Sequence, residues 1–228
     1  MRLPLAREGI PFVLVCVLAA AAALLWAHRG GWGLQSAVPA LSLALALFVA
    51  YFFRDPERSS PADPGVVVAP ADGKVVGVEP AGEPVGGSAG RAATRISIFL
   101  SIFDVHVQRA PMAGRVTEYS YRPGRYLAAW HPEAGRVNEQ ASLGSETDAG
   151  PIEVRQIAGL VARRIVTSPR GGDRVEKGER IGLIRFGSRV ELIVPRDWRV
   201  TVCVGDRVRG GATPVALAPV GAFRGESP

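Results

Sequence analysis

Residues 180–195 read RIGLIRFGSRVELIVP, two short apolar runs separated by Phe186, Gly187 and Ser188. Each run is rich in isoleucine, leucine and valine and has the length of a β-strand rather than of a helix. The Gly-Ser pair places a residue without a Cβ directly before a hydroxyl, so the Gly187 carbonyl is sterically open to attack. The alternative is a β-bulge at a glycine. The stretch therefore predicts two strands and an interruption that is either chemical or structural.

Short apolar runs of the same kind continue on both sides of this stretch, across residues 54–218: VVVAP, KVVGV, RISIFLSIF, RIVTS and RVTVCV. No long helical period appears there, apart from a short helix predicted around Asn138–Leu143. The segment GDRVEKG at Gly172–Gly178 recurs as GDRVRGG at Gly205–Gly211. Repeated Gly-Asp turns of this kind are typical of barrel-sandwich domains of the lipoyl type. We therefore predict a mostly β (α+β) domain over residues 54–218, followed by a flexible tail at 219–228.

Two uncharged apolar stretches precede this domain, at residues 10–27 and 38–53. Helices of about 16 to 20 residues reach roughly 24 to 30 Å, close to the thickness of the hydrocarbon core of a bilayer. Aromatic residues stand near their ends, where the membrane interface would lie. A cleaved signal peptide is the rival for the first stretch, but it would not explain the second. We predict a two-helix membrane hairpin over residues 1–53.

The chain carries a formal net charge of +6, spread along its length. Such an excess suits either nucleic acid or an anionic lipid surface. Because the sequence has no nucleic-acid-binding motif, we expect the lipid bilayer as a partner and no nucleic acid. Arg2 and Arg7 precede the first apolar stretch and Arg54 and Arg58 follow the second, whereas the connecting loop holds only Arg29. This bias predicts that both termini and the β domain face the cytoplasm at the inner membrane.

Arg54 and Arg58 have a second reading, because arginines near a membrane boundary can hold a lipid phosphate. We interpret them as markers of topology. Cys16 and Cys203 lack a partner at metal-ligand spacing, and we predict that both are small buried hydrophobic residues. No cluster of metal-ligand residues stands out in the sequence, so no metal site is expected.

Histidine is scarce, which draws attention to His106 in the segment FDVHVQRAP. It directly follows the strand-like run IFLSIF and has a carboxylate two residues before it. A histidine at the end of a strand is a candidate general base, although a lone histidine is more often structural. The segment APADGKV contains a further candidate, Asp72, whose Asp-Gly pair taken alone predicts only a hairpin turn.

Three segments together resemble the signature segments of the phosphatidylserine decarboxylases in order and spacing: APADGKV, LSIFDVHVQRAPMAG and RFGSRVELIVP. The run FFRDPE at residues 52–57 and the pair Asn138-Glu139 also match the short bacterial branch of that family. The resemblance covers the chain from about Phe52 to Pro214. It implies a lyase of phospholipid biosynthesis that converts phosphatidylserine to phosphatidylethanolamine and CO₂.

The resemblance also implies roles for single residues. Asp72 corresponds to the aspartate of the family's PADG segment, His106 to a histidine of its DxH segment, and Ser188 to the serine of its GS cleavage pair. His106 would act as general base and acid, oriented by Asp72. Longer relatives carry a second histidine where this chain has Arg109, so His106 serves both maturation and decarboxylation, or another group takes part.

Self-cleavage between Gly187 and Ser188 follows from the same resemblance. It would yield a β chain of residues 1–187 and an α chain of residues 188–228, which stay together as a heterodimer. The cofactor would be a pyruvoyl group made from Ser188, whose ketone forms a Schiff base with the amine of phosphatidylserine.

Two other classes of protein fit parts of the sequence. A membrane anchor followed by a lipoyl-like domain also describes adaptor subunits of efflux assemblies, although these usually carry a long helical hairpin and have no use for a Gly-Ser pair. An anchored serine hydrolase would instead use Ser188 as its nucleophile and keep the chain intact.

Overall fold

The computed structural model describes residues 4–30, 37–86, 91–131, 133–160, 164–185 and 187–219. The chain divides into two compact units, Met1–Glu57 and Arg58–Pro228. The first unit is helical and the second is built from strands. The predicted fold class, a mostly β protein preceded by apolar helices, is therefore confirmed.

The first unit contains two apolar helices, α1 (Ile10–Gly30) and α2 (Ala37–Phe52). Contacts between the start of α1 with the residues before it and the residue after α2 hold the unit together. The N–H of Ala6 donates to the carbonyl oxygen of Phe53 at 2.8 Å. The rings of Phe12 and Phe53 stack with their centroids 5.6 Å apart. The residues before α1 are thus fastened to the end of α2.

Both helices are apolar around their whole circumference, as expected of a segment surrounded by lipid or by protein. Leu25 and Leu41 leave more than half of their surface exposed. The stretch Arg7–Arg29 is long and apolar enough to cross a membrane, with a mean hydropathy of 2.5. The helix α2 has 16 residues, which corresponds to about 24 Å. The first helix therefore supports membrane association, and passage of α2 across the bilayer stays a prediction.

The second unit contains the strands and one short helix, α3 (Ala134–Val137). The strands are β1 (Val66–Val68), β2 (Gly73–Pro80), β3 (Ala93–Leu100), β4 (Val107–Arg109), β5 (Gly114–Arg122), β6 (Gln140–Thr147), β7 (Gly150–Ala158), β8 (Ile165–Thr167), β9 (Arg174–Val175), β10 (Arg180–Ile184), β11 (Ser188–Pro195), β12 (Arg199–Val200), β13 (Arg207–Val208) and β14 (Pro214–Leu217). Their short lengths match the short apolar runs of the sequence.

An antiparallel sheet in the order β13-β2-β3-β11-β7-β6-β5-β9 forms the centre of this unit. Two smaller sheets, β1-β14-β12 and β4-β10-β8, accompany it. Strand β11 lies between β3 and β7, and all of its residues are buried. Val190, Leu192 and Val194 point into the main hydrophobic core. The opposite face of β11 is buried as well, and there Arg189 and Glu191 form an ion pair at 2.9 Å.

The two copies of the Gly-Asp repeat occupy equivalent places in the sheets. Each copy closes on a glycine with positive φ, +79° at Gly178 and +75° at Gly211, a conformation that other residues rarely adopt. The N–H of Gly178 donates to the carbonyl of Ala110, and the N–H of Gly211 donates to the carbonyl of Ala69, both at 2.8 Å. Each copy thereby holds one Ala-Pro segment, and the two Ala-Pro segments precede β2 and β5 in the same way.

The helix predicted around Asn138–Leu143 is wrong. The helix there is α3, which ends at Val137, and β6 begins at Gln140. Asn138 has φ −76° and ψ 158°, an extended conformation. Its side-chain amide donates to the carbonyl oxygens of Leu127 and Ala158. These contacts lie far apart in the sequence, so local propensity could not predict where the helix ends.

The cysteine prediction is also partly wrong. Cys16 is half-buried and Cys203 is exposed. Cys203 lies in the turn before β13, where its backbone N–H donates to the carboxylate of Asp206 at 2.8 Å. The apolar run that suggested a buried strand is therefore interrupted by a turn. The predicted flexible tail falls on residues 219–228, of which 220–228 lie outside the described residues.

Candidate active site

Gly187 and Ser188 lie at the start of β11, close to the middle of the large sheet. Gly187 has φ +67°, and a Cβ there would meet no atom within 4 Å. Conformation rather than space therefore selects glycine. Ser188 is opposite Leu100 in β3 and Ala158 in β7, without a shift in register along β11. The pair begins a strand, so the alternative of a bulge within a strand is not what the structure shows.

The hydroxyl of Ser188 is unusual because it is buried without a hydrogen-bond partner among the described residues. An unpaired buried polar group of this kind costs about 1–3 kcal/mol. Native proteins tolerate such groups rarely, and a reactive role is one of the explanations. The hydroxyl belongs to the residue that directly follows the Gly187 carbonyl along the chain.

His106 is buried and lies just before β4. The backbone N–H of Gly187 donates to its Nε2 at 3.2 Å. Its Nδ1 lies 2.9 Å from the carbonyl oxygen of Asp104. Because a backbone N–H can only donate, Nε2 carries the lone pair and Nδ1 carries the proton that is donated to Asp104. The fold thus brings His106 and the Gly-Ser pair together, with a basic nitrogen facing the peptide.

Asp72 has different partners from those predicted. Its carboxylate accepts hydrogen bonds from the Arg58 guanidinium and from the Gly210 N–H, each at 2.8 Å. Among the hydrogen bonds of the described residues there is none between Asp72 and His106. The main-chain carbonyl of Asp104 takes that place, because a turn closed by Asp104 brings its backbone to the ring. Asp104, the acidic residue two positions before His106, therefore contacts the histidine ring through its backbone carbonyl and not through its carboxylate.

Arg58, interpreted above as a marker of topology, pairs with Asp72. It belongs to the β unit, and both its side chain and that of Asp72 are only 14% exposed. Burial raises the pKa of Asp72 above its ordinary value, although the Gly210 N–H and the Arg58 charge act in the opposite direction. Arg58 thus stabilises a carboxylate that burial disfavours. Arg54 instead lies over the ring of Tyr51, 3.8 Å from its centroid.

Arg109, at the position of the second histidine in longer relatives, has a structural partner. Its guanidinium donates to the carbonyl oxygen of Gly178 at 3.0 Å. Gly178 closes the first copy of the Gly-Asp repeat. Arg109 therefore stabilises this turn. Because this position carries an arginine, it supplies no second imidazole for the site at Gly187.

A chain of buried amides and a hydroxyl supports the backbone of His106. The side-chain amide of Gln108 donates to the carbonyl oxygen of His106 at 2.8 Å. Gln156 donates to Gln108 at 2.9 Å, and Thr167 donates to Gln156 at 2.6 Å. Gly182 leaves room for this chain, since a Cβ there would lie 2.7 Å from the Gln156 amide nitrogen. The sequence signal for this buried chain was a glutamine within an apolar run, and the sequence analysis did not identify it.

Replacing Gln156 by leucine is expected to lower the free energy of unfolding by about 1–3 kcal/mol, because Gln108 and Thr167 would lose buried partners. Urea unfolding followed by circular dichroism measures the loss. The matched control is Gln140→Leu, since Oε1 of this buried glutamine has no partner among the described residues. Equal destabilisation by both changes would contradict a special role for the buried chain.

Gly159 is a second residue that sequence reasoning missed. A Cβ at this position would lie 2.2 Å from the carbonyl oxygen of Gly187 and 3.2 Å from the Cβ of Ala129. Only glycine lets the backbone after β7 approach the Gly187 carbonyl so closely. Asn138 holds this region, because it bonds the carbonyl of Ala158 at 2.7 Å. The backbone at Gly159 therefore lies close against the Gly187 carbonyl oxygen.

A buried serine directly after Gly187 and an unprotonated histidine nitrogen on the Gly187 N–H are features of an enzyme rather than of a binding module. Comparison with known proteins identifies the family. A family profile described as phosphatidylserine decarboxylase matches residues 45–216. The chain belongs to this family and is a decarboxylase, a carboxy-lyase made as a proenzyme.

The curated relatives cover almost the whole chain. A phosphatidylserine decarboxylase proenzyme of Symbiobacterium thermophilum is 51% identical over 96% of this chain and 98% of its own length. Proteins of the same name from Saccharopolyspora erythraea and Syntrophus aciditrophicus are 48% and 41% identical, over 93% and 92% of this chain. Their coverage of 88% and 96% of the relatives shows that the likeness includes both units. The resemblance that the sequence motifs indicated is confirmed.

Proposed function

We propose that this protein decarboxylates phosphatidylserine to phosphatidylethanolamine with a pyruvoyl group that it makes from Ser188. One observation carries the proposal: the buried Ser188 hydroxyl, without a hydrogen-bond partner among the described residues, belongs to the residue after Gly187, whose backbone N–H donates to the unprotonated Nε2 of His106. The relatives are named as proenzymes, which supports maturation of the chain before it acts.

Maturation begins with His106 as general base. Its Nε2 takes the proton of the Ser188 hydroxyl, and the oxygen attacks the Gly187 carbonyl carbon. The bond from this carbon to the Ser188 nitrogen then breaks as His106 passes the proton to that nitrogen, so that the peptide becomes an ester with a free amine. A base then removes the Cα proton of residue 188, and β-elimination releases the Gly187 carboxylate and leaves dehydroalanine. Tautomerisation and addition of water replace the imine nitrogen by oxygen, which yields the pyruvoyl group and ammonia.

The two fragments stay together because the sheet holds both. The proposed α chain, residues 188–228, contains β11 to β14. Strand β11 pairs along its length with β3 and for most of it with β7. Strands β13 and β14 pair with β2 and β1. Cutting before Ser188 therefore removes one covalent bond and leaves these ladders intact.

In catalysis the pyruvoyl group supplies a ketone that condenses with the substrate amine and accepts the electron pair released as CO₂ leaves. We assign to His106 the holding and return of a proton at the reacting carbon, and the contact of its Nε2 with the Gly187 N–H, one residue before β11, supports this role. The Asp104 carbonyl keeps the ring in the tautomer that this task requires.

We also propose that residues 1–53 anchor the protein in the inner membrane and that the catalytic β domain, residues 54–218, faces the cytoplasm. The long apolar helix α1 supports the anchor. The arginine bias of the sequence supports the orientation. An anchored enzyme meets its lipid substrate by diffusion in the plane of the bilayer.

Intact mass spectrometry of the purified protein tests the proposal. We expect two polypeptides, the smaller one beginning at residue 188 with a blocked, pyruvoyl-containing end. A single unbroken chain with its serine intact would overturn the proposal. A serine hydrolase is disfavoured because the Ser188 hydroxyl is buried and cannot meet an external substrate in this form. The adaptor alternative is excluded because the family is one of decarboxylases.

Replacing Gly159 by alanine is expected to reduce the self-cleaved fraction at a fixed time by roughly tenfold or more, because a displacement of about 1 Å at reacting atoms can cost 100-fold. The added methyl group would press on the Gly187 carbonyl oxygen. Denaturing gel electrophoresis measures cleavage. Gly82→Ala is the matched control, since a Cβ there meets nothing within 4 Å. Normal processing of the Gly159 variant would contradict the proposed geometry.

Replacing Arg58 by glutamine is expected to shift the pH dependence of self-cleavage. Burial already raises the pKa of Asp72, and Arg58 opposes that rise. Without the positive charge the pKa of Asp72 rises further, so its carboxylate becomes protonated at a higher pH. The acid limb of the pH profile of self-cleavage therefore moves to higher pH. The cleaved fraction against pH measures the shift, and Arg54→Gln is the control. An unmoved acid limb would show that ionisation of Asp72 does not limit maturation.

A further inference from the structure

Four large apolar side chains are exposed at one end of the large sheet. We call them the apolar rim: Ile102, Phe103, Trp130 and Leu160, with exposed fractions of 41%, 61%, 69% and 60%. Clusters of exposed apolar residues on a protein surface indicate an interaction site more often than single ones do.

Sheet topology places the rim around the Gly187 peptide. Ser188 at the start of β11 lies opposite the last residues of β3 and β7. Because both neighbours run antiparallel to β11, the residues that follow β3 and β7 emerge at the end of the sheet where β11 begins. Ile102 and Phe103 follow β3, and Leu160 follows β7. The rim thus borders the proposed reaction site.

Trp130 joins the rim from a separate loop. Its ring packs edge-on against Phe99 of β3, with the centroids 5.9 Å apart. The preceding residue, Ala129, lies against Gly159 beside the Gly187 carbonyl. Trp130 therefore covers the same end of the sheet from outside, with most of its indole exposed.

Cationic side chains accompany the rim. Lys74 is exposed at the start of β2, opposite Phe99. Arg164 is exposed, and its carbonyl accepts a hydrogen bond from the N–H of Arg185 on the path to Gly187. Two acidic groups stand near rim residues in the sequence, and both are paired: Asp104 with Arg207 and the Ser101 backbone, and Glu133 with Arg136. Aromatic and aliphatic side chains beside cations form the surface that suits an anionic lipid bilayer.

We propose that this end of the β unit docks on an anionic bilayer, with Phe103 and Trp130 at the boundary of headgroups and acyl chains and Lys74 and Arg164 against anionic headgroups. The biological reason rests on the proposed function: a lipid headgroup would then reach the site while its tails stay in the membrane. The docking itself requires neither cleavage nor a pyruvoyl group.

Site-directed spin labelling of the full chain tests the docking. Cys16→Ala and Cys203→Ser remove the native thiols, and single cysteines replace Phe103 or Leu160. The control is Asp148→Cys, an exposed position in the turn between β6 and β7 at the opposite end of the sheet. The protein is reconstituted in vesicles of equimolar phosphatidylcholine and phosphatidylglycerol. Accessibility to dissolved oxygen and to a water-soluble nickel chelate is then measured.

We expect the ratio of oxygen to nickel accessibility to be several-fold higher at the two rim labels than at position 148. Equal ratios at both ends of the sheet would overturn the docking proposal. A label that disturbs one loop leaves the other position as an independent test. Intact mass of the same samples reports self-cleavage. Protected rim labels on an uncut chain would uphold docking and refute the proposed function, and exposed rim labels on a cut chain would do the reverse.

Discussion

Replacing Ser188 by alanine is expected to leave one unbroken, inactive polypeptide. The change removes the only hydroxyl that directly follows the Gly187 carbonyl, so neither the ester nor the pyruvoyl group can form. Because the Ser188 hydroxyl has no hydrogen-bond partner among the described residues, its loss removes an unfavourable buried group. The fold should be at least as stable as that of the parent. Gel electrophoresis and intact mass measure cleavage, and thermal unfolding measures stability.

Ser145→Ala is the matched control for this change, because Ser145 is also a buried strand serine. It should self-cleave at the normal rate. A Ser188 variant that folds and still breaks before residue 188 would refute the proposed chemistry. A variant that fails to fold would instead show that the hydroxyl has a structural partner. Unfolding data separate these two results.

Replacing His106 by alanine is expected to slow self-cleavage by about 100-fold or more, in line with the contribution of a positioned general base. The change removes the nitrogen that faces the Gly187 peptide. It also leaves a space of the size of the ring, so added imidazole should restore part of the cleavage. The cleaved fraction over time, with and without imidazole, measures both effects.

Two variants sharpen this second test. His131→Ala, in a loop where the ring is exposed, is the control of the same residue type. His106→Gln fills the space and should not respond to imidazole. If imidazole restores cleavage in His106→Ala but not in His106→Gln, the alanine variant has lost the base and not the structure of the site. Normal self-cleavage of a folded His106→Ala protein would show that another group is the base.

Much of the architecture could be predicted because it follows from local sequence patterns. Short apolar runs between turn residues predict strands, and a long uncharged run such as α1 predicts an apolar helix. The Gly-Asp repeat predicted equivalent turns, and its glycines do adopt the same left-handed conformation at Gly178 and Gly211. The helix predicted at Asn138–Leu143 failed because its boundary depends on contacts with Leu127 and Ala158.

The candidate site was predictable by residue type and only partly by contact. Ser188, Gly187 and His106 were named from their segments, and the structure brings them together although Gly187 and His106 are 81 residues apart. Asp72 was assigned to the histidine, whereas its carboxylate binds Arg58 and Gly210. No pattern within a segment indicates which of several polar groups will be neighbours.

The sequence by itself determined that this is a mostly β protein with apolar N-terminal helices of the decarboxylase family, and it named the residues for which self-cleavage is proposed. Only the tertiary structure decided that a backbone carbonyl orients His106, that Gly159 presses against the peptide before Ser188, and that exposed apolar loops border the site. The physical reason is that strand periodicity and turn chemistry act over a few residues. Contacts between distant segments instead depend on the register and order of strands in the sheet.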